Sequence, residues 1–304
     1  MTYKKKEREA LRSLSYGDYH FCTDGWKEGK LFHNPGQFAF GMILLGLISF
    51  RYYLRIHAFA MMPNHIHIIL SGTGDTCLKA FDFLRRKILA RLKRDGFPPL
   101  PETYWFKLVP IENDEQMRSE IIYVLRNALE KGFAAVGGYL WSSGWLYHSD
   151  FCTMLHAEPL MKLTKRHLYS WMGGRDRIPE DWRFHPYLGL LPDAFVDTSL
   201  VLRLFPDAKD LQTALVKDYE TLYQVAGRLN EIITFNKAEL GSIVAQTLQK
   251  RFDGRGLRLL SEVEKAKLAV ILYREFGLNS YQISTSIFIK ERAVRQLLSS
   301  KELH

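Results

Sequence analysis

Ten residues constrain this chain more than any other stretch: M-M-P-N-H-I-H-I-I-L, Met61 to Leu70. The run alternates like a strand, and side chains on a strand point to opposite faces with period 2. His65 and His67 therefore share one face, while Ile66 and Ile68 share the other. Two adjacent imidazoles are a ready pair of metal ligands. They serve equally well as half-buried groups satisfying local hydrogen bonds, and the stretch alone leaves both readings open.

The chain around it reads as one alternating unit. Residues 19–24, Y-H-F-C-T-D, form a first strand closed by Gly25, and Asn34-Pro35-Gly36 opens a helix from Gln37 to Phe50. That helix is apolar nearly all round, so it must be covered on more than one side. Its greasy run, Phe38 to Phe50, falls short of the roughly 20 residues a bilayer span needs, so no membrane is expected. Residues 53–62 form a second strand, and Pro63-Asn64 turns it into the third, His65 to Ser71, as an antiparallel hairpin. A basic amphipathic helix, Leu78 to Lys93, and a fourth strand, Tyr104 to Ile111, follow. The order β-α-β-β-α-β predicts an α+β, ferredoxin-like antiparallel sheet with two helices on one face.

Several residues stand outside this packing logic. Arg85, Arg86, Lys87, Arg91, Lys93 and Arg94 crowd the polar side of the basic helix with no acid between them. They form either a solvated face or a phosphate-contacting one. The next helix, Asp114 to Lys131 with Gly132 as its stop, gathers Ile121, Ile122, Leu125, Ala128 and Leu129 on one side. At about 100° per residue, Tyr123 falls on the polar side, with Asn127 beside it four residues on. That tyrosine either docks on another part of the sheet or is kept for chemistry. In the loop over 137–151, Trp141, Trp145 and Tyr147 are read as ties to the domain rather than as base-stacking platforms.

Three domains are expected: 1–150 holding the sheet, a helical region 151–250, and a C-terminal unit 251–304. The middle region shows helical periodicity over Val196 to Phe205 and Leu211 to Ile233, loops at 171–175 and 181–191, and no chemical motif. In the last region Ser261 and Glu264 make a capping box for a helix to Phe276, stopped by Gly277. Ser280 is expected to cap a second helix, and a third over 290–299 carries Arg292 and Arg295. Lys250 to Lys301 hold 11 Lys/Arg against 5 Asp/Glu, the pattern of a helix-turn-helix unit or of a plain three-helix packing module. The net charge of +9 suits a polyanionic partner. Three scattered cysteines and no apolar stretch behind the basic N-terminus fit a reducing cytoplasm.

The separate signals meet in one resemblance. H-A-F-A-M-M-P-N-H-I-H-I-I (His57 to Ile69), Y-V-L-R-N-A-L (Tyr123 to Leu129) and Y-L-W-S-S (Tyr139 to Ser143) resemble motifs of the HUH-endonuclease single-tyrosine transposases. Among these, the REP-associated tyrosine transposases are the most similar, with the likeness running over residues 15–150. Ala128-Leu129 stand where that family has Pro-Val, which leaves the helix more regular and does not touch Tyr123 or Asn127. The resemblance implies a metal-dependent DNA endonuclease and strand transferase. Tyr123 would be its nucleophile, and His65, His67 and Asn127 would be ligands of a divalent metal, Mg²⁺ or Mn²⁺. It implies a 5′-phosphotyrosine link and single-stranded or hairpin DNA as substrate, handled by a monomer or homodimer. Arg85, Arg86, Lys87, Arg91, Arg292 and Arg295 would hold flanking DNA. The alternatives are a domesticated relative and a non-catalytic nucleic-acid binder that presents aromatics on an open sheet.

Overall fold

The computed structural model describes residues 2–26, 29–130, 138–172, 174, 176–217, 219–231 and 235–299. They form two compact units, residues 1–215 and 216–304.

The first unit opens with a helix the sequence reading did not expect, α1 (Thr2–Arg12), followed by β1 (Gly17–Thr23), α2 (Pro35–Tyr52), β2 (Arg55–Met61) and β3 (Ile66–Gly72). Then come α3 (Gly74–Arg94), β4 (Phe106–Ile111) and α4 (Asp114–Glu130). The four strands make one antiparallel sheet in the order β2-β3-β1-β4, so the α+β expectation holds. Pro110 lies in β4, an edge strand, where a missing N–H is tolerated. His65 lies in the turn just before β3 rather than inside it. The stop expected at Gly132 lies outside the described residues.

Local chemistry explains these boundaries. Asn34 caps α2 by accepting from the backbone N–H of Gln37, and Pro35 occupies the first turn, where its missing donor costs nothing. Thr73 and Thr76 cap α3 reciprocally. One face of the sheet is hydrocarbon. Phe21 stacks on Phe106 at 4.8 Å, and Phe106 on Phe81 of α3 at 4.5 Å, while Phe59, Ile66, Ile68 and Leu70 continue the same core. Helices α2 and α3 pack on each other over this side. Helix α4 lies over β2 and β3 from the other face, where Ala58 and Ala60 leave room for it.

The chain continues with α5 (Phe151–Met154), β5 (Glu158–Pro159), α6 (Lys165–Met172), β6 (Arg183–His185) and β7 (Gly189–Leu190), then α7 (Ser199–Leu204) and α8 (Ala208–Lys217). The segment 181–191, expected as a loop, thus contributes to a small sheet in the order β5-β6-β7. The cover that α2 requires comes partly from here, for both α6 and β7 pack on it. Gly189, at φ +75°, brings β7 against the backbone of Ala39, where an added Cβ would lie 2.3 Å from the carbonyl oxygen. The edge of β2 is strapped by 139–147. The Tyr139 hydroxyl donates to the Met61 carbonyl at 2.6 Å, and Phe59 N–H donates to Ser143 Oγ at 3.0 Å. Trp145 and Tyr147 are buried and Trp141 stacks on Phe38, so the loop's aromatics do tie it to the domain.

The second unit contains α9 (Tyr219–Leu229), α10 (Lys237–Arg251), α11 (Glu262–Phe276), α12 (Ser280–Ile287) and α13 (Glu291–Ser299). The segment expected as helical over 211–233 is helical in α8 up to Lys217 and in α9 from Tyr219 to Leu229, with residues 218, 232 and 233 outside the described residues. The Ser261–Glu264 capping box and the left-handed Gly277 stop of α11 are present. Asn279, not Ser280, caps α12, through a capping box with Gln282. Helices α11, α12 and α13 pack on one another around Leu268, Leu272, Ile283, Ile287 and Val294. No helix among the described residues is long and apolar enough to cross a membrane.

Candidate active site

The pleat places His67 on the face opposite Ile66 and Ile68, toward α4. In the β1–β3 register Cys22 pairs with His67 and His20 with Ile69. His20 is therefore the diagonal neighbour of His67 on the same face. The two imidazoles meet edge-on at 5.2 Å between centroids, with His20 Nε2 3.0 Å from His67 Nδ1. His65, one step before the strand, crosses His67 at 4.6 Å and an interplanar angle of 86°. Its Nδ1 lies 2.8 Å from Asn64 Oδ1.

Helix α4 supplies the rest. The Tyr123 ring is 5.6 Å from His67 and 6.1 Å from His20. One turn before it, Glu120 Oε2 lies 2.7 Å from His20 Nδ1. One turn after it, Asn127 donates from its amide nitrogen to the Tyr123 carbonyl at 3.0 Å, a bond that does not use its Oδ1. Glu120, Tyr123 and Asn127 stand at i, i+3 and i+7, so one helix face carries all three.

Tyr123 is not exposed, as its place on the polar side of the helix suggested. It is 7 % accessible, and His67 is fully buried. The reason is that α4 is covered on two sides. The sheet lies beneath it, α7 packs on it, Arg118 pairs with Asp210 at 2.8 Å, and Arg126 donates to the Leu215 carbonyl at 2.6 Å. Burial, and after it the neighbouring His65 and His20, holds the His67 pKa well below the ordinary histidine range. A neutral imidazole is the form that can ligate a metal.

The structure thus brings His65, His67 and Tyr123 together, with Asn127 a turn away. His20 and Glu120 complete the cluster and were missed in the sequence. His20 was read only as part of an alternating strand, and its face depends on a register that the sequence does not state. The Glu-x-x-Tyr-x-x-x-Asn spacing was the signal available for Glu120. A donor set of two imidazoles and an amide oxygen, with one imidazole held neutral, fits a divalent cation such as Mn²⁺ or Mg²⁺.

The basic residues divide. On α3, Lys87 pairs with Asp176 at 2.6 Å and Arg91 with Asp95 at 2.5 Å, both partly buried. Arg85 is half-buried, and Arg86 is exposed beside the Phe83 ring. On α13, Arg292 and Arg295 are exposed, and Arg295 pairs with Glu291 of its own helix at 2.8 Å.

No known protein family is matched by the sequence, and no curated protein is similar to it. Among solved structures there is a distant likeness to that described as "Structure of the REP associates tyrosine transposase bound to a REP hairpin". That likeness has a TM-score of 0.34 and 17 % identity, and covers 43 % of this chain and 79 % of that one.

Proposed function

We propose that this chain is a transposase-type, metal-dependent endonuclease and strand transferase acting on single-stranded DNA, with Tyr123 as its nucleophile. The observation that carries the reading is the meeting of His65, His67 and Tyr123 from a turn, a strand and a helix, within ring distances of 4.6 and 5.6 Å. The M-P-N-H-x-H and Y-x-x-x-N motifs support it independently.

His65, His67 and Asn127 would hold Mg²⁺ or Mn²⁺. When bound, that ion would draw off negative charge from a scissile phosphate. The Tyr123 oxygen forms a bond to phosphorus while the bond to the 3′ oxygen breaks. The phenol gives up its proton and the leaving oxygen gains one, leaving a 5′-phosphotyrosine and a free 3′-OH. The phosphodiester energy stays in the new link, so a second 3′-OH can reverse the step and join strands without ATP. Tyr123 and His67 are buried, so a strand reaches them only once the surface above them opens.

Residues 1–150 would carry the catalytic residues, within the compact unit that runs to 215, and 251–304 would form a helix-turn-helix unit. In that unit Arg292 and Arg295 of α13 would enter the major groove. On α3, Arg86 and the half-buried Arg85 are the residues best placed for phosphate, since Lys87 and Arg91 already pair with carboxylates of the chain. An open-sheet nucleic-acid binder fits less well. His20, Cys22, Ala58, Ala60, His67 and Ile69, on the face that such a binder would expose, are buried.

The test is incubation with labelled single-stranded hairpin DNA from beside its own gene, with Mn²⁺, followed by a denaturing gel. A covalent adduct that requires Mn²⁺ is expected, and His65→Ala should abolish both the adduct and Mn²⁺ binding. Absence of adduct with every such hairpin contradicts the proposal.

A further inference from the structure

Glu120 and His20 are fully buried, yet neither is a ligand in the reading above. A buried carboxylate is costly unless its hydrogen bonds are met, so a Glu in the core calls for a reason. Its partner is His20: Glu120 Oε2 lies 2.7 Å from His20 Nδ1, and His20 Nε2 lies 3.0 Å from His67 Nδ1. We infer that Glu120 and His20 are positioning residues that fix the tautomer of His67, so that its Nε2 carries the lone pair. The inference deepens the proposed metal site and rests on it only for the purpose of that lone pair.

With Glu120 ionised and His20 neutral, as inferred, the chain of bonds has one direction: the carboxylate can only accept, so His20 Nδ1 carries the hydrogen. That is its one ring hydrogen, so His20 Nε2 accepts. His67 Nδ1 is then the donor, and its Nε2 is left with the lone pair. Without this chain, a neutral imidazole divides between two tautomers, and only one of them ligates through Nε2. Carboxylates commonly orient metal-ligating histidines directly. Here the carboxylate acts through a second histidine, since Glu120 Oε2 meets His20 Nδ1 and it is His20 Nε2 that meets His67.

His65 has a matching arrangement. Asn64 donates from Nδ2 to the Trp26 carbonyl at 3.5 Å, which turns Oδ1 toward His65 Nδ1 as an acceptor at 2.8 Å. His65 therefore also carries its hydrogen on Nδ1. Both histidines of the H-x-H pair present Nε2, one backed by an amide and the other by the Glu120–His20 pair.

Nitrogen-15 NMR of the metal-free chain reads the tautomer directly. The expected result is a His67 protonated at Nδ1 and bare at Nε2. A His67 protonated at Nε2 in the wild type overturns the inference, whatever the metal does. His20→Phe keeps the ring volume and removes both nitrogens. It should turn His67 into a mixture of tautomers and weaken Mn²⁺ binding, read by electron paramagnetic resonance of free Mn²⁺, by roughly 10- to 100-fold. Glu120→Gln should lose less, because the amide oxygen can still accept from His20. A His20→Phe chain that is folded by circular dichroism and keeps both the wild-type tautomer and Mn²⁺ affinity overturns the inference. A wild type with the expected tautomer that binds no Mn²⁺ removes the metal reading and leaves the tautomer relay standing.

Discussion

The two faces of the four-stranded sheet are built from the same strands, one residue out of phase, and they do different work. On one side Tyr19, Phe21, Phe59, Ile66, Ile68 and Leu70 pack into α2 and α3. On the other, β1 and β3 carry polar groups at both ends. His20 and His67 meet Glu120 and Tyr123 at one end. At the other end, the Ser71 hydroxyl donates to Asp18 at 2.6 Å and His57 Nε2 lies 2.7 Å from Ser71 Oγ. A sheet can therefore hold an ordinary hydrocarbon core and a buried polar cluster without either diluting the other. The cost is that every polar group must find its partner inside.

The contrast can be broken from either side. The largest effect is expected at Tyr123→Phe, which should reduce the DNA adduct to background while leaving the unfolding midpoint within a degree or two of wild type. Loss of adduct together with loss of fold would mean that the polar face is structural. Phe21→Ala, on the hydrocarbon face, should do the reverse. Removing a fully buried ring stacked on Phe106 costs about 3–5 kcal/mol by chemical denaturation. Adduct formation per folded molecule should stay unchanged under conditions where the variant is folded.

A finer test uses pH at the far end of the polar face. Burial holds His57 below its ordinary pKa of 6.5. The unfolded chain then binds more protons below pH 6.5, so stability falls as pH drops through that value, by up to about 1.4 kcal/mol per pH unit. His57→Gln should flatten this limb, and an unchanged limb would show that His57 is not its source. The smallest effect is expected outside both faces. Asp197, bonded by the Ser199 hydroxyl and by Arg55, has its carboxyl lowered to about 2. Its contribution is complete above pH 3.8 and is lost as pH falls toward 2. For a partly exposed ion pair, Asp197→Ala should cost about 1 kcal/mol or less at neutral pH.

How much of this was legible follows from the range of each interaction. Strand alternation, the Pro63-Asn64 turn and the Ser261–Glu264 capping box are local, and they stand where the sequence put them. The pairing of β1 with β3 is set by contacts some fifty residues apart, and with it went His20, whose face only the register reveals. Tyr123 shows the same limit. Its helical phase was readable, but the cover supplied by 199–215 was not, so docking on the sheet was one of two open readings and a buried tyrosine is found. The short strands β5, β6 and β7 hold two or three residues each, too few for a period to register.

The central claim is that Tyr123 itself becomes linked to DNA. Trypsin would release residues 119–126, S-E-I-I-Y-V-L-R, as one peptide with a single tyrosine. Mass spectrometry of the protein–DNA adduct after nuclease trimming should find the nucleotide mass on that peptide, at Tyr123. An adduct mapped to any other residue, or an unmodified 119–126 peptide from a confirmed adduct, would contradict the account.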